Sequence, residues 1–292
     1  MTKSFPKAAI GIVGGSGLYQ MDALENVQEL AIETPYGTPS EVLVHGTIDG
    51  ISVVFLARHG RGHRLIPSEL PYRANIYALK MLGVKYLLSI SAVGSLQEHI
   101  APKDMVIPDQ FIDLTKSRQN TFFGEGAVAH VSMAEPVCTA LAGIVADAVD
   151  GLPEAERVTC HRQGTYVCIE GPQFSSLAES HWYRSMNGSV IGMTNMPEAK
   201  LAREAQIAYT SLAMATDYDC WHPKEDNVSA NMALANLMEN ANRAQKIVVD
   251  VVKRLGRDQP VSVAHSALST ALVTPFEAMD EATRAKLQIL AD

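Results

Sequence analysis

Short apolar runs, each closed by a turn of glycine and polar residues, alternate along this chain with segments of helical pattern. Residues 84–90 form one such run and end in Ser91-Ala92-Val93-Gly94-Ser95. Residues 207–215 form another, which ends in Thr216-Asp217-Tyr218-Asp219. Runs this short and apolar predict buried strands, and the helices between them predict an α/β fold around a largely buried sheet.

The other predicted elements follow the same alternation. Strands are predicted at residues 8–13, 41–48, 51–58, 84–90, 165–169, 190–192 and 207–215, and helices at 71–82, 176–186, 197–205 and 227–255, the last stopped by Gly256. Asp49-Gly50 joins two of the strands and predicts a hairpin, so the sheet is expected to be mixed rather than purely parallel. Because no repeat or linker divides the chain, one domain of 292 residues is expected.

The polar residues of interest collect just past the carboxyl ends of these strands. They are Ser16, Arg58-His59, Ser91, Glu170, Met193-Thr194, Asp217 and Asp219. In open α/β sheets this edge is where ligands bind, so these side chains predict one site.

The charge balance restricts the class of ligand. The chain has 24 Lys+Arg against 32 Asp+Glu, a formal net charge of −8. That balance argues against binding nucleic acid or an anionic membrane, and it favours a small molecule or a protein as partner. The four cysteines form no C-x-x-C pair and the nine histidines no H-E-x-x-H, so no metal site is expected. With no secretory signal core and no apolar stretch of ~18 residues, the chain is expected to be cytoplasmic.

Two segments are candidates for binding an anion. Gly14-Gly15-Ser16-Gly17 offers backbone N–H groups and a hydroxyl in a tight turn, which suits a phosphate oxygen; the alternative is a purely structural turn. Arg58-His59 adds a charged fork and a second donor at a strand end, and Arg61 and Arg64 follow within a few residues as an island of positive charge. The alternative there is an ordinary surface arginine.

Asp217 and Asp219 are candidates for acid–base work. They lie two residues apart after a buried run, where their pKa values are expected to differ, so that one carboxyl is protonated and the other accepts hydrogen bonds. The alternative is an Asx turn or helix cap. Glu170 has the corresponding alternative of a solvated carboxylate in a turn.

In these motifs the chain resembles the trimeric nucleoside phosphorylase superfamily, and within it the S-methyl-5′-thioadenosine phosphorylases. The likeness runs over about residues 10–244 and rests on GIVGGSGL, TPYGTPS, FLARHGRGH, SAVGSL, PKDMVIPDQFIDLT, MAEP, IEGPQFSS, MTNMPEAKLAREA, AMATDYDCW and ENAN. It implies a single domain over residues 1–292, in which 256–292 form a C-terminal extension; whether this segment closes the site is left open by the sequence.

The resemblance also implies a reaction. Inorganic phosphate attacks C1′ of a nucleoside while the purine leaves, with no metal or organic cofactor, in a homotrimer. The resemblance also implies which residues bind each ligand. Phosphate would be held by Ser16, Arg58, His59, Ser91 and Ala92, with Thr194 bridging to the ribose and Met193 under the ribose. The base would be contacted by Phe174 and Ser175, with Asp217 at purine N7 and Asp219 at the exocyclic 6-position, and His130 would come from a neighbouring subunit.

Asp219 bears on the choice of base. An ionised carboxylate accepts from a 6-amino group and repels a 6-oxo group, and relatives that act on 6-oxopurines have an asparagine in this region. The expected products are therefore adenine and 5-methylthioribose 1-phosphate, in purine and methionine salvage. The alternatives are a purine nucleoside or methylthioinosine phosphorylase, a nucleosidase that uses water, or a nucleoside-binding protein without activity.

The sequence departs from the family pattern at several positions. Ser16 and Ser91 replace threonines but keep the hydroxyl, and Thr194-Asn195-Met196-Pro197 replaces Thr-Thr-Val-Pro, a change also associated with methylthioinosine enzymes. Near the pocket for the 5′ group, the family often has larger aliphatic residues than Ala230, Ala233 and Leu234. These smaller side chains predict a roomier pocket and leave the 5′ substituent open.

Overall fold

The structure, a computed structural model, describes residues 5–15, 18, 20–223 and 230–292 of the chain, and for 230–239 and 241 it describes the backbone alone. Ser16, a predicted phosphate residue, lies outside the described residues.

The described strands form one sheet of eleven members. They are β1 (Ile10–Gly14), β2 (Glu25–Leu30), β3 (Leu43–Ile48), β4 (Ile51–Ala57), β5 (Tyr86–Ser95), β6 (Met105–Val106), β7 (Gln110–Asp113), β8 (Cys160–His161), β9 (Thr165–Cys168), β10 (Val190–Gly192) and β11 (Ala208–Asp217). The order along the main path is β2-β3-β4-β1-β5-β10-β9-β7, and β11 pairs with β5 and β6.

Two parallel groups of strands meet within this sheet. β4, β1, β5 and β11 run parallel, while β7, β9 and β10 run parallel in the opposite direction. They join where β10 pairs antiparallel with the end of β5, Ile191 opposite Gly94. The carboxyl ends of both groups therefore converge beside the second half of β5, and the prediction of a mixed sheet is confirmed.

Helices cover both faces of the sheet. The six described are α1 (Tyr72–Met81), α2 (Thr139–Asp150), α3 (Leu177–Ser185), α4 (Asn195–Glu204), α5 (Ala230–Asp258) and α6 (Glu281–Ala291). α1, α4 and α6 share a core with strand residues such as Leu56 and Leu87. α2 and α5 share the opposite core with the alternating residues Phe55 and Leu88. Successive residues of each strand thus point to opposite faces and contribute apolar side chains to both cores, as expected for a sheet covered by helices on both sides.

Local signals set most element boundaries as predicted. The hairpin between β3 and β4 turns at Asp49 and Gly50, both at positive φ (53° and 75°), as a tight hairpin turn requires. α1 ends before Gly83, which has φ +85°, and Ser176 with Glu179 forms a capping box at the start of α3.

Two predictions about elements are wrong, and one edge strand was missed. Gly256 does not stop α5, which continues to Asp258; a Cβ at Gly256 would collide with the side chain of Ile51, so this glycine permits close packing of helix on strand. Ser91 lies inside β5 rather than past its end, because pairing with β11 and β10 extends that strand to Ser95. The polar edge strand Glu25–Leu30, five of whose six residues are exposed, was not predicted because it lacks apolar alternation.

No helix in the described parts of the chain is long and apolar enough to cross a membrane. All four cysteines are free thiols. Among the described residues, no three His, Cys, Asp or Glu side chains meet in a way that could hold a metal ion.

Candidate active site

Asp217 and Asp219 lie at the buried edge where the two groups of strands converge. Each is only 4% exposed. Both side chains pack against Gly94 of β5, since a Cβ on that glycine would lie 3.0 Å from Asp217 Oδ1 and 3.3 Å from Asp219 Cβ. The absence of a side chain at Gly94 therefore makes room for the two carboxyls.

Local hydrogen bonds fix the Asp217 carboxyl. The Thr216 hydroxyl lies 2.7 Å from Oδ2, and the backbone N–H of Asp219 donates to Oδ1 at 2.8 Å. The second bond is an Asx turn, the alternative that the spacing left open, and Asp219 accordingly has φ +52°. The turn at Asp217 therefore does not exclude acid–base chemistry there.

Burial sets the protonation of this pair. It raises the pKa of Asp217 to about 6, against the opposing bonds from Thr216 and Asp219 N–H and with a small contribution from the Asp219 charge. Burial likewise raises the pKa of Asp219, although the hydroxyl of Ser180 and groups of Cys220 and Ser175 favour its ionised form. Asp217 therefore keeps its proton to a pH well above its ordinary pKa of 3.8, which is the direction that the sequence predicts for an acid in this position.

Asp217 is expected to make the stability of the folded protein fall as the pH rises. Its folded pKa of about 6 lies above its ordinary value of 3.8. The folded state therefore binds this proton more tightly than the unfolded chain, so stability is lost between about pH 4 and pH 6, by about 3 kcal/mol in total.

The measurement is the free energy of urea unfolding of wild type and Asp217→Asn at several pH values. Asp217→Asn should gain on wild type as the pH rises through that interval, and the exposed control Asp147→Asn should not. A difference between Asp217→Asn and wild type that is independent of pH would contradict the raised pKa.

Arg58 enters the site as a buried residue and not as a surface cation. It is 2% exposed, and its guanidinium donates to both oxygens of Glu198 at 2.8 and 3.2 Å. Further donor contacts run to the Ser89 hydroxyl and to the backbone carbonyls of Ile90 and Val13. Tyr209 donates a hydrogen bond of 3.0 Å to Glu198. Arg58 therefore ties the ends of β1 and β4 and the middle of β5 to α4, and its charge is matched inside the protein.

The expected island of positive charge around Arg58 is corrected by these pairings. Arg61 pairs with Glu29, and Arg64 lies 3.6 Å from Glu41. The sequence could not show that these arginines are paired, because their partners Glu198, Glu29 and Glu41 come from other segments of the chain.

His59 is neutral in this setting. Its Nδ1 lies 2.8 Å from the Leu65 carbonyl oxygen, so Nδ1 carries the proton and donates it there. Burial lowers the pKa of His59 to about 4. The remaining nitrogen, Nε2, is therefore an acceptor, which corrects the expectation of a second donor: neutral His59 can accept a hydrogen bond from a ligand O–H.

Buried hydroxyls without partners mark the adjacent part of the site. Ser91 and Thr194 are 7% and 6% exposed, and the Ser91 hydroxyl lacks a hydrogen-bond partner among the described residues. The Tyr166 hydroxyl, equally buried and unpartnered, was not predicted. An unpaired buried hydroxyl costs about 1–3 kcal/mol, so this position favours a polar ligand. Ala92, next to Ser91 on β5, is half-buried.

The predicted nucleoside residues lie on the loops that follow β9 and β10. Met193 packs on Gly171, where an added Cβ would stand 2.5 Å from the Met193 sulfur. Ser175 has a buried hydroxyl, which favours the ionised form of the Asp219 carboxyl, and its carbonyl lies 3.4 Å from the Cys220 sulfur, next to Asp219. Phe174 is 45% exposed at the rim.

Other predicted residues lie farther out or beyond what the structure describes. His130 is exposed, and its backbone N–H donates to the Ala271 carbonyl at 2.8 Å, so the C-terminal segment runs beside it. Ala230, Ala233 and Leu234 lie on α5, but their side chains are outside the described part.

Glu170 is neither a solvated turn residue nor a free acid. Burial acts to raise its pKa, but hydrogen bonds from the Ser68 hydroxyl and two backbone N–H groups, together with Arg118, lower it to about 2. Neither Arg118 nor Glu198 was predicted. No turn or strand end marked Arg118 in the sequence, and Glu198 is one of four charged residues in the predicted helix 197–205, so no pattern distinguished it.

The comparisons with known proteins agree over almost the whole chain. The family model of the phosphorylase superfamily matches residues 9–253. An S-methyl-5′-thioadenosine phosphorylase from Thermosynechococcus vestitus is 59% identical over 97% of this chain and 98% of its own length. That from Geobacter sulfurreducens is 51% identical over 96% and 97% of the two chains.

Known structures show the same likeness. A methylthioadenosine phosphorylase from an antarctic soil metagenomic library has TM-score 0.94 and 59% identity, covering 99% of this chain and all of that one. The methylthioadenosine phosphorylase of Schistosoma mansoni in complex with adenine has TM-score 0.80 and 33% identity, with 98% of each chain covered.

Proposed function

The chain belongs to the phosphorylase superfamily, and from this premise we propose that it catalyses the phosphorolysis of S-methyl-5′-thioadenosine to adenine and 5-methylthioribose 1-phosphate. One observation carries the proposal: a buried Asp217 with a pKa of about 6 and a second buried acid, Asp219, stand at the strand ends beside unpartnered hydroxyls. A carboxyl that can act as a proton donor thus lies near buried hydroxyls at one edge of the sheet. The relatives named above, which carry this activity, support the assignment.

The geometry supports the following reaction. A phosphate oxygen forms a bond to C1′ as the bond from C1′ to purine N9 breaks, and the electron pair of that bond passes to the purine. Asp217 delivers its proton to N7, so that the base leaves as neutral adenine. Positive charge that develops on the ribose is stabilised by phosphate below it, and negative charge on the base by the Asp217 proton.

Asp219 selects the base in this proposal. Its carboxylate accepts a hydrogen bond from the 6-amino group of adenine, while Ser175 contacts the ring edge and Phe174 its face. The proximity of Ser175 to the Asp219–Cys220 turn supports a common base site. A 6-oxopurine would bring an acceptor to a carboxylate, which is repulsive.

Phosphate lies, in the same proposal, against Ser16, Ser91 and Ala92, with Thr194 bridging to the ribose over Met193. Four of the five N–H groups of Arg58 point at protein acceptors. At most one is then left for phosphate, so Arg58 contributes mainly by fixing strand ends. His59 accepts from a protonated phosphate oxygen, which follows from its Nδ1 contact.

The remaining features extend the proposal. We infer a cytoplasmic homotrimer in which His130 reaches a neighbouring site, with residues 256–292 as the segment that closes it and with Ala230, Ala233 and Leu234 lining the 5′ pocket. Phosphate is a co-substrate, and no metal or organic cofactor takes part. The products place the protein in purine and methionine salvage.

Base release is expected to depend on phosphate and on the 6-amino group. The experiment measures release from methylthioadenosine, adenosine, methylthioinosine and inosine at equal concentration, with and without phosphate. We expect methylthioadenosine to be cleaved fastest, with a loss of about 10² or more when phosphate is omitted, because water lacks the bound, aligned nucleophile.

Three other outcomes would change the assignment. Preference for inosine or methylthioinosine would contradict the role of Asp219. Equal release without phosphate would indicate a nucleosidase. Tight nucleoside binding without turnover would indicate a binding protein.

A further inference from the structure

Arg118 is a buried arginine to which the proposed reaction assigns no part. Its side chain is 1% exposed. The guanidinium donates to the backbone carbonyls of Met193 and Met196, each at 2.6 Å, and of Glu170 at 2.7 Å. The carbonyls of Met193 and Glu170 belong to the two loops that carry the predicted nucleoside residues, and that of Met196 lies in the first turn of α4.

The other contacts of Arg118 explain why it stays in place. Nε lies 3.2 Å from Glu170 Oε1, and Nη1 donates to the Tyr72 hydroxyl at 3.0 Å. Glu170 is itself held by Ser68 and by the backbone N–H groups of residues 116 and 117. Since every donor of the guanidinium has an acceptor, its fork geometry fixes both loops at once.

Weaker contacts also join the two loops: the Cys168 sulfur lies 3.7 Å from the Met196 carbonyl, and Ile169 and Met193 share an apolar cluster. Past the ends of β9 and β10, the ladder between them continues with the bond from Ile169 N–H to the Gly192 carbonyl, 2.9 Å long. Beyond this bond the Met193 sulfur packs against Gly171. That contact depends on the distance between loops, which Arg118 sets by bonding to the carbonyls of Met193 and Glu170.

We propose that Arg118 is a positioning residue of the nucleoside site, which clamps the ribose loop at Met193 to the base loop at Glu170–Ser175. The inference rests on the proposed function. It distinguishes the two substrates, because among the described residues Arg58, Ser91 and Ala92 make no hydrogen bond with Arg118, and only the charge of Arg118 acts on His59. Loss of the clamp should therefore weaken binding of the nucleoside and leave phosphate binding nearly unchanged.

The test compares Arg118→Met with wild type in steady-state phosphorolysis, varying each substrate in turn. We expect the KM for methylthioadenosine to rise about tenfold or more and the KM for phosphate to stay within about threefold. Arg118→Lys should give an intermediate rise, since an ammonium cannot reach both loops as a fork. Arg162→Met, which removes an exposed arginine bonded to Asp147 and Asp150, is the matched control and should change neither KM.

A nucleoside KM within about threefold of wild type, or an equal rise in both KM values, overturns the proposal. Thermal unfolding shows whether each variant folds. If Arg118→Met does not fold, the same comparison is made with Arg118→Lys and Glu170→Gln. In these variants too, the proposal requires the KM for methylthioadenosine to rise more than the KM for phosphate. Wild type without phosphate-dependent release would overturn the proposed function instead, so the two failures are distinguishable.

Discussion

Asp217→Asn is expected to lower the rate of adenine release from methylthioadenosine by about 10² or more. Asparagine is nearly the same size and still accepts the hydrogen bond from the Asp219 N–H that is 2.8 Å long in wild type. It cannot transfer a proton to N7, so the purine must leave as an anion. The loss therefore falls on the chemical step and not on the fold.

The measurement is a single-turnover rate with saturating phosphate, which separates chemistry from product release. Asp147→Asn, an exposed change of the same kind, should leave the rate unaltered. A decrease of less than about tenfold in folded Asp217→Asn would remove Asp217 as the general acid.

Glu198→Gln should destabilise the protein by about 3–5 kcal/mol, because it leaves the charge of Arg58 buried without its counter-ion. The two side chains are 3% and 4% exposed, so water cannot replace the carboxylate. Tyr209 would also lose its charged acceptor. Urea unfolding followed by circular dichroism measures the change in free energy.

The exposed pair Arg61–Glu29 provides the control for this prediction. Its side chains are 47% and 55% exposed, so Glu29→Gln should cost less than about 1 kcal/mol. The double variant Arg58→Met/Glu198→Met should regain much of the stability, since neither charge is then buried alone. A change below about 1 kcal/mol in Glu198→Gln would mean that Arg58 finds other compensation.

The fold was predictable where local patterns decide. Apolar runs closed by turns predicted the strands that carry Asp217 and Met193, and Asp49-Gly50 predicted the hairpin. Gly256 was misjudged because a glycine in a helix pattern marks either an end or a close contact, and only the nearby side chain of Ile51 distinguishes them. The position of Ser91 depended on how far β11 and β10 extend β5.

The sequence by itself determined the α/β class, the family and the strand ends that carry the candidate residues, because these depend on patterns a few residues long. Tertiary structure alone decided the electrostatics. Arg58 meets Glu198 across 140 residues, and Arg118 meets Met193 across 75. The raised pKa of Asp217 likewise comes from burial by strands that are remote in the chain. Desolvation and ion pairing depend on which groups share a volume, and that is settled only when the sheet has formed.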